Sequence, residues 1–558
     1  MEWTTACPDW ERRIVNRESL IPFAPLFPAE AEAALSVFNQ LRIVDAPGSP
    51  TMGKAAMPWL KDFVAAIFGS YDAETGRRLI TEYFLLISKK NAKSTGASGI
   101  MMTALLRNWR SSGEFQIIAP TIEVANNSFF PARDMIRADD ELNDLLHVQE
   151  HIRTITHRQT KATLKVVAAD SDTVSGKKAI GTLIDELWLF GKRANAENML
   201  REAIGGLASR PEGFVIYATT QSDDPPAGVF RQKLNYARGV RDGLIKDKRF
   251  LPVLYEFPKG MLDAGAHKEK ANFYVTNPNL GASVDVEFLE REFDKAAQTG
   301  EESLRGFLSK HLNVEIGLSL RSDRWIGADY WEGQGNPDLT LDALLERSEV
   351  VTVGIDGGGL DDLLAMSVIG RDAVTREWLH WSHAWAHELV LERRKDTAPL
   401  LRDFENDKDL TVVDDMRDAF ADVASRVAAI NETGKLATVG LDPMGVGMIV
   451  DAMAAEGIEG QDRVVGVSQG YQLQGAIKTT EVKLASGDLT HCGQRLMAWA
   501  VGNAKVEPKG NAITITKQVA GSAKIDPLMA TFNAVALMSK NPAAQGPSVY
   551  ESRGIRMV

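Results

Sequence analysis

The chain has 558 residues, 44% hydrophobic and 25% charged, with 63 Lys and Arg against 75 Asp and Glu for a net charge of -12. This describes a soluble globular protein of two to four domains, each able to bury a core, and the acidic balance argues against a protein that coats nucleic acid through Lys and Arg. No run approaches eighteen apolar residues, the start MEWTTACPDWERR lacks an apolar signal core, and the distant Cys7 and Cys492 form neither a disulfide framework nor a zinc site, so no membrane span, no export and a reducing cytoplasm are expected.

Residues 1–50 carry aromatic and proline-rich segments (Trp3, Trp10, Pro22, Pro25, Pro28) and one helix near Ala29–Leu41, a lead-in that packs on the next domain. Pro58-Trp59 opens another helix, with Trp59 suited either to stack on an adenine or to anchor a core. Five apolar residues, Tyr83 to Ile87, then read as a buried strand of a parallel sheet, and a polar loop ending in Lys93-Ser94-Thr95 leads into a helix from Thr95 to about Arg107.

A strand, a tight loop and a helix N-terminus suit a phosphate, because the first N–H groups of a helix lack partners and its dipole favours an anion. Lys93 would reach the β- and γ-phosphates of ATP and the Ser94 hydroxyl would hold Mg²⁺. In G-x-x-x-x-G-K-[ST] the two glycine positions fall on Ile87 and Ala92, so half the motif is missing and a lysine-rich surface turn is the plain alternative.

Phe115–Thr121, Ala162–Ala168, Gly181–Asp185 and Phe214–Thr219 continue the pattern, five strands separated by helical stretches, which implies a mainly parallel sheet with helices on both faces. Asp185-Glu186 ends one of these strands about 90 residues after Lys93. A nucleotide hydrolase needs such a pair there, Asp185 for the Mg²⁺ shell and Glu186 to orient and deprotonate the attacking water. Thr219-Thr220 ends the next strand, where a P-loop ATPase senses the γ-phosphate. Two basic stretches, 151–165 and 231–249, are candidates for a DNA track or for solvated helix faces. Arg201 and Arg210 are candidates for a finger acting on a neighbouring subunit.

Glycines and Pro337 punctuate 317–348, read as the passage between domains with Trp325 and Trp331 packing it down. A second pattern follows. Val350–Asp356, Leu364–Ile369 and Arg376–Ser382 form a meander, Ala437–Asp442 is a later strand, and Lys524-Ile525-Asp526 opens a helix. Asp356, Asp442 and Asp526 thus lie at two strand ends and one helix start. Brought together, they would bind two divalent ions about 4 Å apart, activating a water and stabilising the leaving oxygen of a phosphodiester. That is the ribonuclease-H-like arrangement. Asp361 and Asp362, on the turn after the first strand, are placed to supplement the cluster. For any single Asp the plain alternative is a cap or turn residue.

The ordered set of Pro58-Trp59, the Lys-Lys-Asn-Ala-Lys-Ser loop, Leu183–Trp188, Thr219-Thr220, Asn277-Pro278-Asn279-Leu280-Gly281, Asn313, Gly354-Ile355-Asp356, Gln469-Gly470 and Lys524-Ile525-Asp526 resembles the large subunit of tailed-bacteriophage terminases, from about residue 50 to 540. The resemblance implies an α/β chain: a P-loop ATPase domain with a mainly parallel sheet at 51–320, a linker at 321–348, a ribonuclease-H-like nuclease domain with a mixed sheet at 349–545, and a tail at 546–558. It implies an ATP-driven motor that moves double-stranded viral DNA into a procapsid, and a metal-dependent endonuclease that cuts the concatemer.

Matched residue by residue, Lys89 to Thr95 (Lys89, Lys90, Asn91, Ala92, Lys93, Ser94, Thr95) and Asp185 would hold ATP and its Mg²⁺, Glu186 would be the catalytic base, and Thr219 and Thr220 would couple hydrolysis to movement. Asp356, Asp442 and Asp526 would bind two Mg²⁺ or Mn²⁺. The implied partners are DNA, a portal protein, a small terminase subunit and further copies in a ring, in the host cytoplasm and transiently at the portal vertex. Two departures stand out, Ala92 for the usual Gly and Leu60 for a Gln that recognises adenine. Lys89 or Lys90 is expected to compensate at the phosphates. A helicase-like or repair ATPase with an attached nuclease and a non-enzymatic scaffold with a decayed P-loop are the other readings.

Overall fold

The computed structural model describes residues 2–168, 178–193, 196–316, 325–395, 397–443, 447–509, 512–517 and 524–544. The tail expected at 546–558 lies outside them. The chain divides into two compact units, Met1–Ile316 and Gly317–Val558.

In the first unit, α1 (Pro58–Phe68) precedes β1 (Glu82–Leu86), and α2 (Lys93–Leu106) begins two residues earlier than its sequence suggests. Then come β2 (Glu114–Ala119), α3 (Ile122–Arg137), β3 (Leu146–Gln149), β4 (Thr154–His157), β5 (Thr163–Ala168), β6 (Ala179–Asp185), α4 (Leu187–Phe190), β7 (Phe214–Thr219), α5 (Gly228–Arg241), β8 (Phe250–Leu254) and α6 (Glu301–Leu312). The sheet order is β8-β1-β7-β6-β2-β5-β4-β3, parallel except for the antiparallel β3–β4 edge and its pairing to β5. Helices cover the parallel strands, so β6 and β7 are buried along their length and read as continuous apolar runs.

Strand β8, which contains Pro252, is not among the five expected strands. It sits at the sheet edge, pairing only with β1, where a missing N–H costs no ladder bond on the open side. The stretch 151–165 is not an α-helix face: after the end of a short 3-10 turn it supplies β4 and the start of β5. The lead-in belongs to this unit, with the Trp3 indole donating to the Lys248 carbonyl and the Cys7 N–H to the Arg241 carbonyl.

The second unit is built on β9 (Ser348–Gly357), β10 (Leu363–Asp372) and β11 (Trp378–His387), an antiparallel meander. It adds β12 (Leu410–Val413), α7 (Met416–Glu432), β13 (Leu436–Leu441), β14 (Val464–Gly466), β15 (Leu489–His491) and α8 (Asp526–Met538). The order β12-β11-β10-β9-β13-β14, with β15 also on β11, makes a mixed sheet in which β13 runs parallel to β9. Strand β12 was not expected, nor was the separate hairpin Ala504–Lys509 with Ala512–Lys517. One core lies on each face: α7 packs with Val351, Val353 and Ile355, and α8 with Val350, Ile369, Trp325 and Trp331. Residues 325–347, expected as a passage, are therefore built into this unit, with both tryptophans almost fully buried.

Candidate functional sites

The loop after β1 is held by its own asparagine. The Asn91 amide donates to the carbonyl of Ser88 and to Asn277 Oδ1 at 2.8 Å, and Asn91 Oδ1 accepts the Asn279 N–H at 3.0 Å. Asn279 in turn accepts the Trp59 indole N–H at 2.6 Å. Trp59 is buried edge-on to Tyr255, so it occupies the core-anchor position. Asn91, expected to help hold ATP, spends its side-chain amide and oxygen on these contacts within the fold.

Ala92, at the missing glycine, takes φ 56° and ψ 25°, a left-handed conformation that a glycine adopts without steric cost. Lys89 and Lys90 are exposed and Ser94 and Thr95 half-buried at the start of α2.

Lys93 is buried, and its ammonium donates to Asp185 Oδ1 at 2.7 Å and to Glu186 Oε1 at 2.8 Å. Burial works against the Lys93 charge, but the two carboxylates outweigh it and hold the group above the usual lysine range. Asp185 Oδ2 accepts the Ser128 hydroxyl at 2.7 Å, and Glu186 Oε2 accepts the Trp188 indole N–H at 2.8 Å. Glu186 has φ 54°, a strained backbone for a side chain of its size and a mark of functional sites.

Because β7 lies between β1 and β6, Thr219 ends between the Lys93 loop and the acid pair. Its hydroxyl accepts the Trp188 N–H at 3.1 Å and donates to the Thr220 carbonyl at 2.8 Å. Lys310 on α6 lies 3.0 Å from the Trp188 ring centroid; burial brings its pKa down to about 8, opposed by Asp223 and Glu186. Two buried polar atoms in this region, Ser88 Oγ and Gln221 Nε2, lack partners, which fits a site that takes a polar ligand. Ser128, Trp188 as a hydrogen-bond donor, and Lys310 carried no signal in the sequence, since each meets the site only through the fold.

Of the seven basic residues in 231–249, Lys233, Arg238 and Arg241 are paired inside the unit, while Lys246, Lys248 and Arg249 are exposed. Lys233 pairs with Glu82, Arg238 with Glu256 and Glu315, and Arg241 with Glu256 and Asp242. These side chains are therefore not a free DNA track. Arg201 forms an i,i+4 pair with Glu197, and Arg210 donates to the Ser209 carbonyl.

In the second unit, Ile355 of β9 and Leu441 of β13 are register partners on parallel strands, so Asp356 and Asp442 leave adjacent strand ends side by side. Asp526 is the first residue of α8, which crosses β9, and its Oδ1 lies 3.3 Å from where a Cβ on Gly357 would sit. Desolvation, then the charges of Asp526, Asp442 and Asp362, push Asp356 well above the carboxylate range.

Among the described residues, however, no group of three or more His, Cys, Asp or Glu side chains lies close enough to hold one ion. The charges of Asp526 and Asp442 are nonetheless near enough to act on Asp356. Their hard oxygen donors suit Mg²⁺ or Mn²⁺. Asp361 and Asp362, expected to supplement the cluster, are tied to cations instead, Asp361 to Arg394 at 3.1 Å and Asp362 to Lys524.

Residues 58–239 match the family model of the terminase large subunit ATPase domain, and residues 247–541 that of the terminase large subunit endonuclease domain. Protein YmfN of Escherichia coli (strain K12) is 24% identical over 270 residues, 46% of this chain and 57% of its own length, so the match spans little more than half of that relative. The crystal structure of the HK97 bacteriophage large terminase aligns with 91% of this chain and 99% of its own at 19% identity and a TM-score of 0.46. A large terminase from a thermophilic bacteriophage aligns with 93% of this chain and 99% of its own at 13% identity and a TM-score of 0.29.

Proposed function

The chain belongs to the terminase large-subunit family, and from that premise we propose that it hydrolyses ATP to drive double-stranded viral DNA into a procapsid and cuts concatemeric DNA with a metal-dependent endonuclease. The observation that carries this reading is the buried contact of Lys93 with both Asp185 and Glu186, at the ends of a loop and a strand that follow the order of a P-loop hydrolase.

With ATP in the loop, the Lys93 ammonium exchanges its carboxylate partners for the β- and γ-phosphates. Glu186 Oε1, so released, accepts a proton from water as the water oxygen attacks the γ-phosphorus and the bond to the β,γ-bridging oxygen breaks, leaving ADP and phosphate. Ser94 and Asp185 would hold Mg²⁺, which neutralises charge developing on the phosphates. Thr219 and Thr220 carry the change of state to the surfaces that grip DNA. In the second unit, Asp356, Asp442 and Asp526 would hold two Mg²⁺ or Mn²⁺, which supply an activated water and a charged partner for the leaving oxygen. The partners are a portal protein, a small terminase subunit and further copies closing a ring by a heterologous interface, working in the host cytoplasm and at the portal vertex.

Two variants test the reading. Glu186→Ala is expected to bind ATP and lose DNA-stimulated hydrolysis, while Asp356→Ala loses Mn²⁺- or Mg²⁺-dependent cleavage and keeps hydrolysis. Loss of both activities in each variant would refute two separate sites.

A further inference from the structure

Trp188 touches both Thr219 and Glu186. Its backbone N–H donates to Thr219 Oγ1 at 3.1 Å, and its indole N–H donates to Glu186 Oε2 at 2.8 Å. The Lys310 ammonium sits 3.0 Å from the centre of its ring and donates to the Gln221 carbonyl at 2.9 Å, just beyond Thr219-Thr220. The end of α6 is itself tied down at both sides: the Lys89 N–H donates to the Lys310 carbonyl at 2.8 Å, and Asn313 Oδ1 accepts the Gln221 N–H at 3.1 Å. A closed circuit therefore runs from Glu186 through Trp188 to Thr219, along the chain to Gln221, and back through Lys310 to the Trp188 ring.

The two oxygens of Glu186 are held by different partners, Oε1 by Lys93 and Oε2 by Trp188. When the phosphates draw Lys93 away, Oε1 is left without its partner while the indole still fixes Oε2, so the freed oxygen keeps one orientation. Glu186, with left-handed backbone at φ 54°, is the N-cap of a helix of only four residues and makes no capping bond with its side chain, which is left to these two partners.

Resting on the ATPase reading above, we infer that Trp188 is the positioning residue of Glu186, and that Lys310 ties its ring to Gln221 so that a shift of the Thr219–Gln221 segment is transmitted to the carboxylate. Lys310 is not a catalytic residue in this scheme: it acts through Trp188.

ATP turnover of the full chain, with and without duplex DNA, tests this with three variants. W188F keeps an aromatic face and removes the N–H. It is expected to lower kcat about tenfold or more, with KM for ATP within twofold, as removal of a hydrogen bond to a charged group used in the chemical step requires. W188Q keeps an N–H and gives up the ring, and is expected to turn over faster than W188F; a role in packing alone predicts the reverse order. K310M keeps the stem and removes the charge, and is expected to reduce the ratio of DNA-stimulated to basal turnover at least threefold. A W188F kcat within twofold of the unmodified chain, a rise in KM in step with the loss of kcat, or W188Q slower than W188F would overturn the positioning role. Full DNA stimulation in K310M would overturn the link to Gln221. Absence of turnover in the unmodified chain would overturn the ATPase reading and this inference together, whereas turnover indifferent to Trp188 would overturn the inference alone.

Discussion

Ala92 and Glu186 both sit in left-handed backbone at the candidate nucleotide site, and the first is open to a simple test. The left-handed region costs an L-residue about 1–2 kcal/mol, while glycine is disfavoured by about 0.5–1 kcal/mol through the entropy of the unfolded chain. Ala92→Gly is therefore expected to stabilise the first unit by about 0.5–1 kcal/mol, read as a rise of about 1 °C in its thermal midpoint. A lower midpoint would mean that the loop does not hold this backbone. Lys93 still reaches Asp185 and Glu186.

Among the elements, α8 lies against β9 closely enough that a side chain at Gly354 would strike the backbone of Ala530 and Ala534. Neither is the tip of a flexible group, so the helix itself must move. Gly354→Ala is expected to cost about 3 kcal/mol by overpacking, and to abolish metal-dependent cleavage by displacing Asp526 while ATP turnover continues; cleavage at the unmodified rate would show that the helix can yield.

The acids at these element ends also predict a pH effect. An unfolded aspartate titrates near pH 4, whereas Asp356 in the fold keeps its proton to higher pH. Between those two values the folded chain binds more protons, so without metal this group's contribution to stability falls as pH rises. Mn²⁺ should bind the ionised trio and reverse the loss. Its effect on the thermal midpoint of the second unit is expected to grow from pH 5 to pH 8, and an increment independent of pH would argue against these carboxylates as its ligands.

At the scale of the whole molecule, each unit has its own sheet and its own apolar core. Segments 1–316 and 317–558, expressed separately, are each expected to give a cooperative thermal transition. Failure of either would mean that its core depends on the other unit. The endonuclease family model begins at residue 247, inside the first compact unit, so the boundary of the family match and the boundary of packing do not coincide. Among the described residues no helix is long and apolar enough to cross a membrane.

The sequence by itself determined the alternation of strands and helices, the mainly parallel and the mixed sheet, and the places of Lys93, Asp185, Glu186 and the three aspartates at element ends. It could do so because buried parallel strands are written as apolar runs, and chemistry collects where those runs stop. Tertiary structure alone decided the partners. Lys233 turned to Glu82 and Arg238 and Arg241 to Glu256, Asn91 became a brace for its loop, Trp59 joined the core, and β8 formed around a proline at an open edge. Each outcome depends on a group in another element or on a sheet edge. A local pattern records which face of an element is apolar, but not which distant charge or donor will meet it.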